Sequence, residues 1–222
     1  DLSDPAIDVY DNAMFIIALD YLLEMAPDSP QASRWKSLRE GIERNVRALL
    51  WDVKRQKCIP HIYPEKSPIP EGFDELAIHY HGGTAIAIEA GLLSKDEIRT
   101  VIAQMLENVR LSGMPSIGLT LYPVYPDGFF HGGMSKAYLY QNGGDWTWFG
   151  GRMIQQLVVN GMVEEAYAEI HQMIERVIQD DGFYEWYGKG GVPSGSGNFK
   201  GSAGVLSKAI ELLRDWAEKN KS

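Results

Sequence analysis

The sequence predicts an all-α protein in which helices are paired in two layers. Apolar residues recur with a period of 3.6 over most of the chain, and no stretch shows the alternating pattern of a strand. Helices that are apolar nearly all round alternate with helices that carry one charged face, as expected of an inner and an outer layer. Repeated in this way, helical hairpins form an (α/α)6 toroid, a double-layered barrel.

The first hairpin is predicted from the change of pattern around residue 30. Residues 10–26 are apolar on nearly all sides, which is typical of a buried inner helix. The segment PDSP ends this helix, and residues 31–50 follow with an apolar stripe opposite many charges. We therefore expect an inner helix followed by an outer one.

The same alternation continues to the end of the chain. Residues 74–92 are apolar and rich in small residues, which predicts a second inner helix. Ser94 and Glu97 have the spacing of a capping box and predict the start of an outer helix that ends near Arg110. Further helices are predicted at 145–160, 162–179 and 199–218, with small residues at the start of the last one.

The number of helices falls short of a closed toroid. Six hairpins need twelve helices, whereas this sequence predicts seven. We therefore expect residues 1–222 to be the C-terminal part of a single domain whose first half lies outside this sequence. Long loops rich in glycine, proline and aromatic residues separate the helices, and loops of this length are usually functional. They lie at 51–72, 111–144 and 180–198.

Composition excludes several classes of partner. The net charge is −9 and the basic residues are scattered, which argues against binding to nucleic acid or to an anionic membrane surface. Cys58 is the single cysteine, so no intramolecular disulfide can form. The sequence contains no nucleotide-binding or metal-binding motif, and we expect no cofactor and no metal. Localisation stays open between cytoplasm and periplasm.

The last long loop contains the best candidate for a catalytic residue. Glu185 lies in the segment DGFYEWYGK, between aromatic residues that lower the local polarity and limit access of water. An exposed loop glutamate without a function is the alternative. The neighbouring Tyr184 and Trp186 offer flat faces on which a sugar ring could stack.

A second polar and aromatic segment, YQNGGDWTW, leads into the helix predicted at 145–160. Gln141 and Asn142 can each donate and accept hydrogen bonds, as recognition of sugar hydroxyls requires. Trp146 and Trp148 add apolar faces, and Asp145 is placed either to bind sugar or to cap the helix.

Two further segments carry polar candidates. His79 and His81 are two residues apart, so on a helix they point to different faces, and we expect them to line a cavity wall rather than bind metal. Asp8 and Asp11 lie at the start of the first inner helix, where at least one of them is expected to be an N-cap. The other could face the central cavity.

Together these motifs resemble the C-terminal half of the six-hairpin glycosidases. The order YQNGGDW, inner helix, outer helix, DGFYEWYGK, glycine-rich loop and GSAG is similar to neutral invertases, trehalases, processing α-glucosidases and mannosylglycerate hydrolases. The earlier segments Asp11-Asn12-Ala13 and LLWD also look like that group. The resemblance implies an inverting glycoside hydrolase, exo-acting on a short oligosaccharide.

The resemblance also implies roles for individual residues. Glu185 would be the base that activates water, and the general acid would be Asp11 or a residue that precedes residue 1. The remaining candidates would form the sugar-binding wall. They are Gln141, Asn142, Asp145, Trp146, Trp148, Tyr184, Trp186 and His81.

Three other functions remain open at this point. A sugar phosphorylase would need a cationic pocket, for which Arg152 and Lys200 are the available basic residues near the motifs. A sugar-binding toroid without catalytic activity would carry the same wall. A helical epimerase would use paired histidines, which His79 and His81 could supply. Function resides in the site, so the fold cannot choose among these.

Overall fold

The computed structural model describes residues 5–221 and has an all-α helical-hairpin architecture. Within these residues seven α-helices are formed, and helix accounts for 54% of the structure. The helices are α1 (Val9–Met25), α2 (Ala32–Leu49), α3 (His81–Glu89), α4 (Lys95–Ser112), α5 (Thr147–Val159), α6 (Val163–Gln179) and α7 (Lys200–Lys219). The strands have two residues each: β1 (Trp51–Asp52), β2 (Lys57–Cys58), β3 (His79–Tyr80), β4 (Leu121–Tyr122), β5 (Trp186–Tyr187) and β6 (Pro193–Ser194).

The chain forms two compact units, the first up to Val101 and the second from Ile102. In the first unit α1 packs against α2 as a hairpin and also against α3. Thus the two helices predicted to be inner are neighbours, and the amphipathic α2 lies outside them. Gly83 allows this approach, because a Cβ there would lie 2.6 Å from a methyl group of Val9.

The predicted helix at 74–92 is shorter in the structure. Residues Glu75–Ala77 form a 3₁₀ turn, β3 follows, and α3 begins only at His81. Every residue of α3 from His81 to Ile88 is buried. A helix buried on all sides has no amphipathic period, so the sequence gives no signal for where it starts.

Helix α1 differs from the expectation of burial on all sides. Val9, Ala13, Ile16 and Leu19 are buried along one face. Phe15, Tyr21 and Met25 are 48%, 57% and 73% exposed on other faces. Contacts within residues 5–221 therefore cover only part of its apolar surface.

In the second unit the inner helices α5 and α7 pack side by side, and α6 packs on both of them. Gly151 permits the close contact between the inner pair, since a Cβ there would lie 3.3 Å from the backbone nitrogen of Leu206. A small residue at this position thus lets the two helices approach each other closely. The hairpin α5–α6 turns at Gly161, whose φ of +80° lies in the left-handed region that favours glycine.

Short hairpins give the long loops their structure. Strands β1 and β2 pair antiparallel in the first unit, with Trp51 opposite Cys58. Strands β5 and β6 pair in the second unit, with Trp186 opposite Ser194. The capping box predicted for α4 is present, because the Ser94 amide donates to Glu97 at 2.8 Å. No helix in the described part of the chain is long and apolar enough to span a membrane.

Candidate active site

Glu185 is held by the hairpin that follows α6. Its amide donates to the Ser196 carbonyl at 2.9 Å, so the 193–198 segment runs beside it. Gly195 makes this approach possible: its φ is +72°, and a Cβ there would lie 2.7 Å from the Glu185 Cβ and 2.5 Å from Oε2. The side chain of Glu185 is half-buried, with one side against this segment.

Tyr140 lies on another side of the same carboxylate. Its hydroxyl is within hydrogen-bonding reach of Glu185, and burial together with the negative charge of Glu185 raises the pKa of Tyr140. The φ of Tyr140 is +51°, a left-handed conformation that is uncommon for an aromatic residue. Strain of this kind is often found at functional sites, where the surrounding structure maintains it.

Aromatic rings surround the Tyr140–Glu185 contact. The Tyr140 ring lies 4.8 Å from the Trp146 ring and 6.3 Å from the Trp186 ring, edge to face in both cases. Phe199, just before α7, adds a fourth ring 6.3 Å from Trp146. Trp146 and Trp186 are 5% and 8% exposed, so they serve mainly as the frame.

Trp148 and Tyr184 are more accessible than the frame residues. Both are half-buried, as a ring that stacks on a ligand must be before binding. The Arg152 guanidinium lies 4.4 Å over the Trp148 ring, one helical turn away on α5. Tyr184 lies next to Glu185 and its ring is 6.1 Å from Tyr187.

The structure corrects the expectation for Asp145. Its side chain is fully buried at 0% exposure, so it is not available to a sugar. Neither does it cap α5, because it accepts from the Ser116 hydroxyl at 2.6 Å and pairs with Arg176 at 2.9 Å. Burial raises the pKa of Asp145, whereas Arg176 and Ser116 act in the opposite direction. The carboxylate therefore has a structural role.

Asn142 requires the same correction. It is 1% exposed, and its amide is used within the protein: it accepts from the Tyr125 amide at 2.9 Å and donates to the Tyr125 carbonyl at 3.1 Å. It also donates to the Lys136 carbonyl at 3.2 Å. Asn142 therefore fixes the 125–136 loop. Its neighbour Gln141 is exposed and remains a candidate for contact with sugar.

The remaining candidates lie in the first unit. Asp8 caps α1 by accepting from the Asp11 amide at 2.8 Å, which confirms the expected N-cap. Asp11 is exposed in the first turn of α1. His81 is 1% exposed, and burial lowers its pKa to about 3, so its ring is neutral and not accessible to a sugar. His79 lies in β3 rather than on a helix.

Several contributors to the site were not identified from the sequence. Tyr140 lies in the segment YQNGGDWTW but was not among the candidates. Phe199, Arg176 and Ser116 reach the site from other segments, and local pattern gives no signal for such contacts. No group of three or more His, Cys, Asp or Glu side chains between residues 5 and 221 is arranged to hold a metal ion.

Solved structures provide the comparison that identifies the fold. No protein-family model and no curated protein sequence matches the chain. The mannosylglycerate hydrolase of Thermus thermophilus, a GH63 protein solved with Tris and D-glycerate, matches 95% of this chain with a TM-score of 0.65 and 17% identity. The same hydrolase solved with glucose matches 96% of the chain at 18% identity, also with a TM-score of 0.65.

The chain has the fold of these hydrolases. The predicted all-α fold of paired helices is therefore confirmed. The chain spans 46% of the length of the two hydrolase structures. An uncharacterized conserved protein of the same organism matches equally well, with a TM-score of 0.65 over 47% of its length. At 17–18% identity the likeness establishes the fold, and the activity must be argued from the site.

Proposed function

We propose that this chain contributes to a glycoside hydrolase and that Glu185 is its catalytic base. The observation that carries the proposal is the setting of Glu185, a half-buried carboxylate that faces Tyr140 within a frame of aromatic rings. Aromatic faces bind the apolar side of a sugar, and a carboxylate among them can activate a water molecule for attack on the anomeric carbon. The shared fold with a hydrolase of mannosylglycerate agrees with this interpretation.

In this mechanism Glu185 removes a proton from a water molecule that attacks the anomeric carbon. Catalysis with inversion needs a second carboxyl group about 6.5–9.5 Å from the first, which protonates the leaving oxygen. Glu185 is suited to the base role, because the 193–198 segment and Tyr140 limit its rotation. A fixed base lowers the entropy lost on reaching the transition state.

The general acid is proposed to be Asp11 or a residue that precedes residue 1. Asp11 is exposed and therefore free to meet a substrate. We also propose that residues 1–222 form the C-terminal part of one catalytic domain. Two observations support this proposal. Part of the apolar surface of α1 is left exposed, and the chain matches only 46% of the length of the hydrolase.

Sugar contacts are assigned to accessible residues of the two segments that carry Glu185 and Tyr140. Trp148 and Tyr184 are proposed as stacking surfaces, and Gln141 as a partner for hydroxyl groups. Trp146 and Trp186 are proposed to form the apolar floor. A short substrate that ends in this frame would be cleaved at its terminus, which corresponds to exo action.

The test compares wild type with Glu185→Gln on α- and β-linked disaccharides and on mannosylglycerate. Glu218→Gln is the matched control, since it removes an exposed glutamate from α7 by the same chemical change. Sugar release is measured by a reducing-end assay, and the anomer formed first is identified by proton NMR. Binding of the same sugars is followed by tryptophan fluorescence.

We expect release of the inverted anomer by wild type and by Glu218→Gln, with a loss of at least about 10³-fold in Glu185→Gln. Sugar binding should persist in Glu185→Gln, because the aromatic frame is unchanged. Equal release by all three proteins would rule out the role of Glu185. Binding without release in every protein would favour a sugar-binding function instead.

A further inference from the structure

The loop that carries Glu185 is attached to a buried charge on its far side. Two residues after Glu185, the Tyr187 amide donates to the Asp145 carbonyl at 2.7 Å, and the Asp145 amide donates back to Tyr187 at 2.9 Å. The backbone of Asp145 therefore joins the Glu185 loop to the segment that carries Tyr140 and Trp146. Movement of Asp145 would be transmitted to Glu185 through these two bonds.

Asp145 itself is fixed from several directions. The next amide, that of Trp146, donates to Gly118 at 2.8 Å, and the Ser116 hydroxyl donates to Oδ2 of Asp145 at 2.6 Å. Oδ1 lies 2.9 Å from Nη1 of Arg176, so the carboxylate and the guanidinium form an ion pair. The whole side chain is excluded from solvent.

Arg176 comes from the outer helix α6 and contacts both sides of this junction. Its Nη2 donates to the Thr147 hydroxyl at 2.7 Å, on the α5 side of Asp145. Its guanidinium also stacks on the Tyr187 ring, with Cζ 4.0 Å from the ring centroid. Arg176 is only 8% exposed, so one planar group holds Asp145, Thr147 and Tyr187 together.

A buried ion pair of this kind needs an explanation other than stability. Removing two charges from water is costly, and well-packed apolar replacements are often as stable or more stable. What an arginine fork adds is fixed geometry, because its planar donors hold several groups in one arrangement. One of the groups that Arg176 holds is Tyr187, in the loop that carries Glu185.

We infer that Arg176 and Asp145 are positioning residues that set the location of Glu185. This inference rests on the proposed role of Glu185 as the base. Arg176 acts through Asp145 and Tyr187 and does not touch a substrate. It extends the site to the outer helix layer, which no motif near Glu185 indicates.

The main test is the variant Asp145→Asn/Arg176→Met, which removes both charges and leaves neither one buried alone. Its matched control is Glu97→Gln/Arg47→Met in the first unit. Arg47 pairs with Glu97 at 2.6 Å and lies 4.9 Å over the Trp51 ring, so the same kind of contact is removed there. Thermal unfolding, kcat, KM and hydrogen exchange are measured for both.

We expect the Asp145→Asn/Arg176→Met protein to fold and its Tyr187 and Glu185 amides to exchange at least about tenfold faster than in wild type. Amides in the middle of α6 and α7 should be unchanged. Its kcat should fall by roughly 10- to 100-fold with little change in KM, because the base is displaced and sugar binding is retained. The control variant should change neither kcat nor the exchange of these two amides.

Unchanged exchange at Tyr187 and Glu185 in the folded double variant would overturn the inference. If that variant does not fold, Arg176→Lys decides, since it keeps the charge beside Asp145 and loses the stacking on Tyr187 and the bond to Thr147. Faster exchange confined to the Glu185 loop then supports the inference, and unchanged exchange overturns it. Hydrogen exchange requires no turnover, so absence of sugar cleavage by wild type would contradict the proposed function alone.

Discussion

Gly195 offers a sharp test of whether the position of Glu185 matters. A Cβ added there would lie 2.7 Å from the Glu185 Cβ and 2.5 Å from Oε2. Ordinary contacts of a Cβ begin near 3.4 Å, so Glu185 or the 193–198 segment must move by a few tenths of an ångström to nearly 1 Å. Rotation of the carboxylate can relieve the contact with Oε2. The contact with the Glu185 Cβ can be relieved only by moving backbone.

The chain supplies a matched control for this substitution. Gly190 lies in the same loop with a φ of +78°, close to the +72° of Gly195, and a Cβ at Gly190 would meet nothing within 4 Å. Alanine at either position has the same left-handed strain, which costs about 1 kcal/mol. For a protein of this size that cost corresponds to roughly 2–4 °C in the unfolding temperature.

Activity is expected to separate the two variants. Gly190→Ala should keep its kcat, since its cost is confined to backbone strain. Gly195→Ala should lose roughly 10- to 100-fold in kcat, because displacement of a catalytic group by about 1 Å can reduce a rate by that factor. The assay is sugar release at a temperature well below both unfolding transitions. Equal kcat in the two variants would refute the argument that the 193–198 segment sets the position of Glu185.

Three further predictions concern single side chains. Tyr140→Phe should keep its ring contacts but lose roughly 10-fold in kcat, because a hydrogen bond to a charged group contributes about 1.5–3 kcal/mol. In Glu185→Gln, the phenol of Tyr140 should ionise at lower pH, because the negative charge that helps to raise its pKa is gone. NMR of the Tyr140 ring measures this change. The pKa of His81 in the folded protein is lowered to about 3, so below pH 6.5 only the unfolded chain binds a proton there. The free energy of unfolding should therefore fall by up to about 1.4 kcal/mol per pH unit. Urea unfolding at pH 7, 6 and 5 should show a smaller fall in His81→Gln, and the same dependence on pH in both proteins would contradict this account. Burial raises the pKa of the Cys58 thiol to about 11, so an aromatic disulfide reagent at pH 8 should label Cys58 only after the protein unfolds. Rapid labelling of the native protein would contradict this prediction, because it would show that the thiol is accessible.

The helices that could be predicted from sequence are those with one wet face. Residues 31–50 and 162–179 were predicted as outer helices, and α2 and α6 lie within one residue of those bounds. Their charged stripe fixes the period and both ends. The inner helix predicted at 74–92 begins seven residues later as α3, because continuous burial gives no period from which to read a start.

The candidate site shows the same limit at the level of side chains. Local sequence indicated Glu185 and the aromatic residues beside it, since they are adjacent in the chain. It could not distinguish Asp145, which is fully buried, from Gln141, which is exposed, because the two lie only four positions apart in one polar segment. That difference depends on Arg176 and Ser116, which reach Asp145 from 31 and 29 residues away. Contacts at such separations leave no local pattern.

The contrast between Asp145 and Glu185 suggests how two neighbouring carboxylates acquire different tasks. Asp145 is enclosed by an arginine, a serine and backbone, so binding a substrate would require it to leave partners in an environment without water. Glu185 is held on two sides, by Tyr140 and by the 193–198 segment, and remains partly open to solvent. A carboxylate restrained but still open can take a proton from water, whereas an enclosed one can only hold its surroundings in place. The catalytic role proposed for Glu185 therefore rests on the number and placement of its partners, since both residues carry the same functional group.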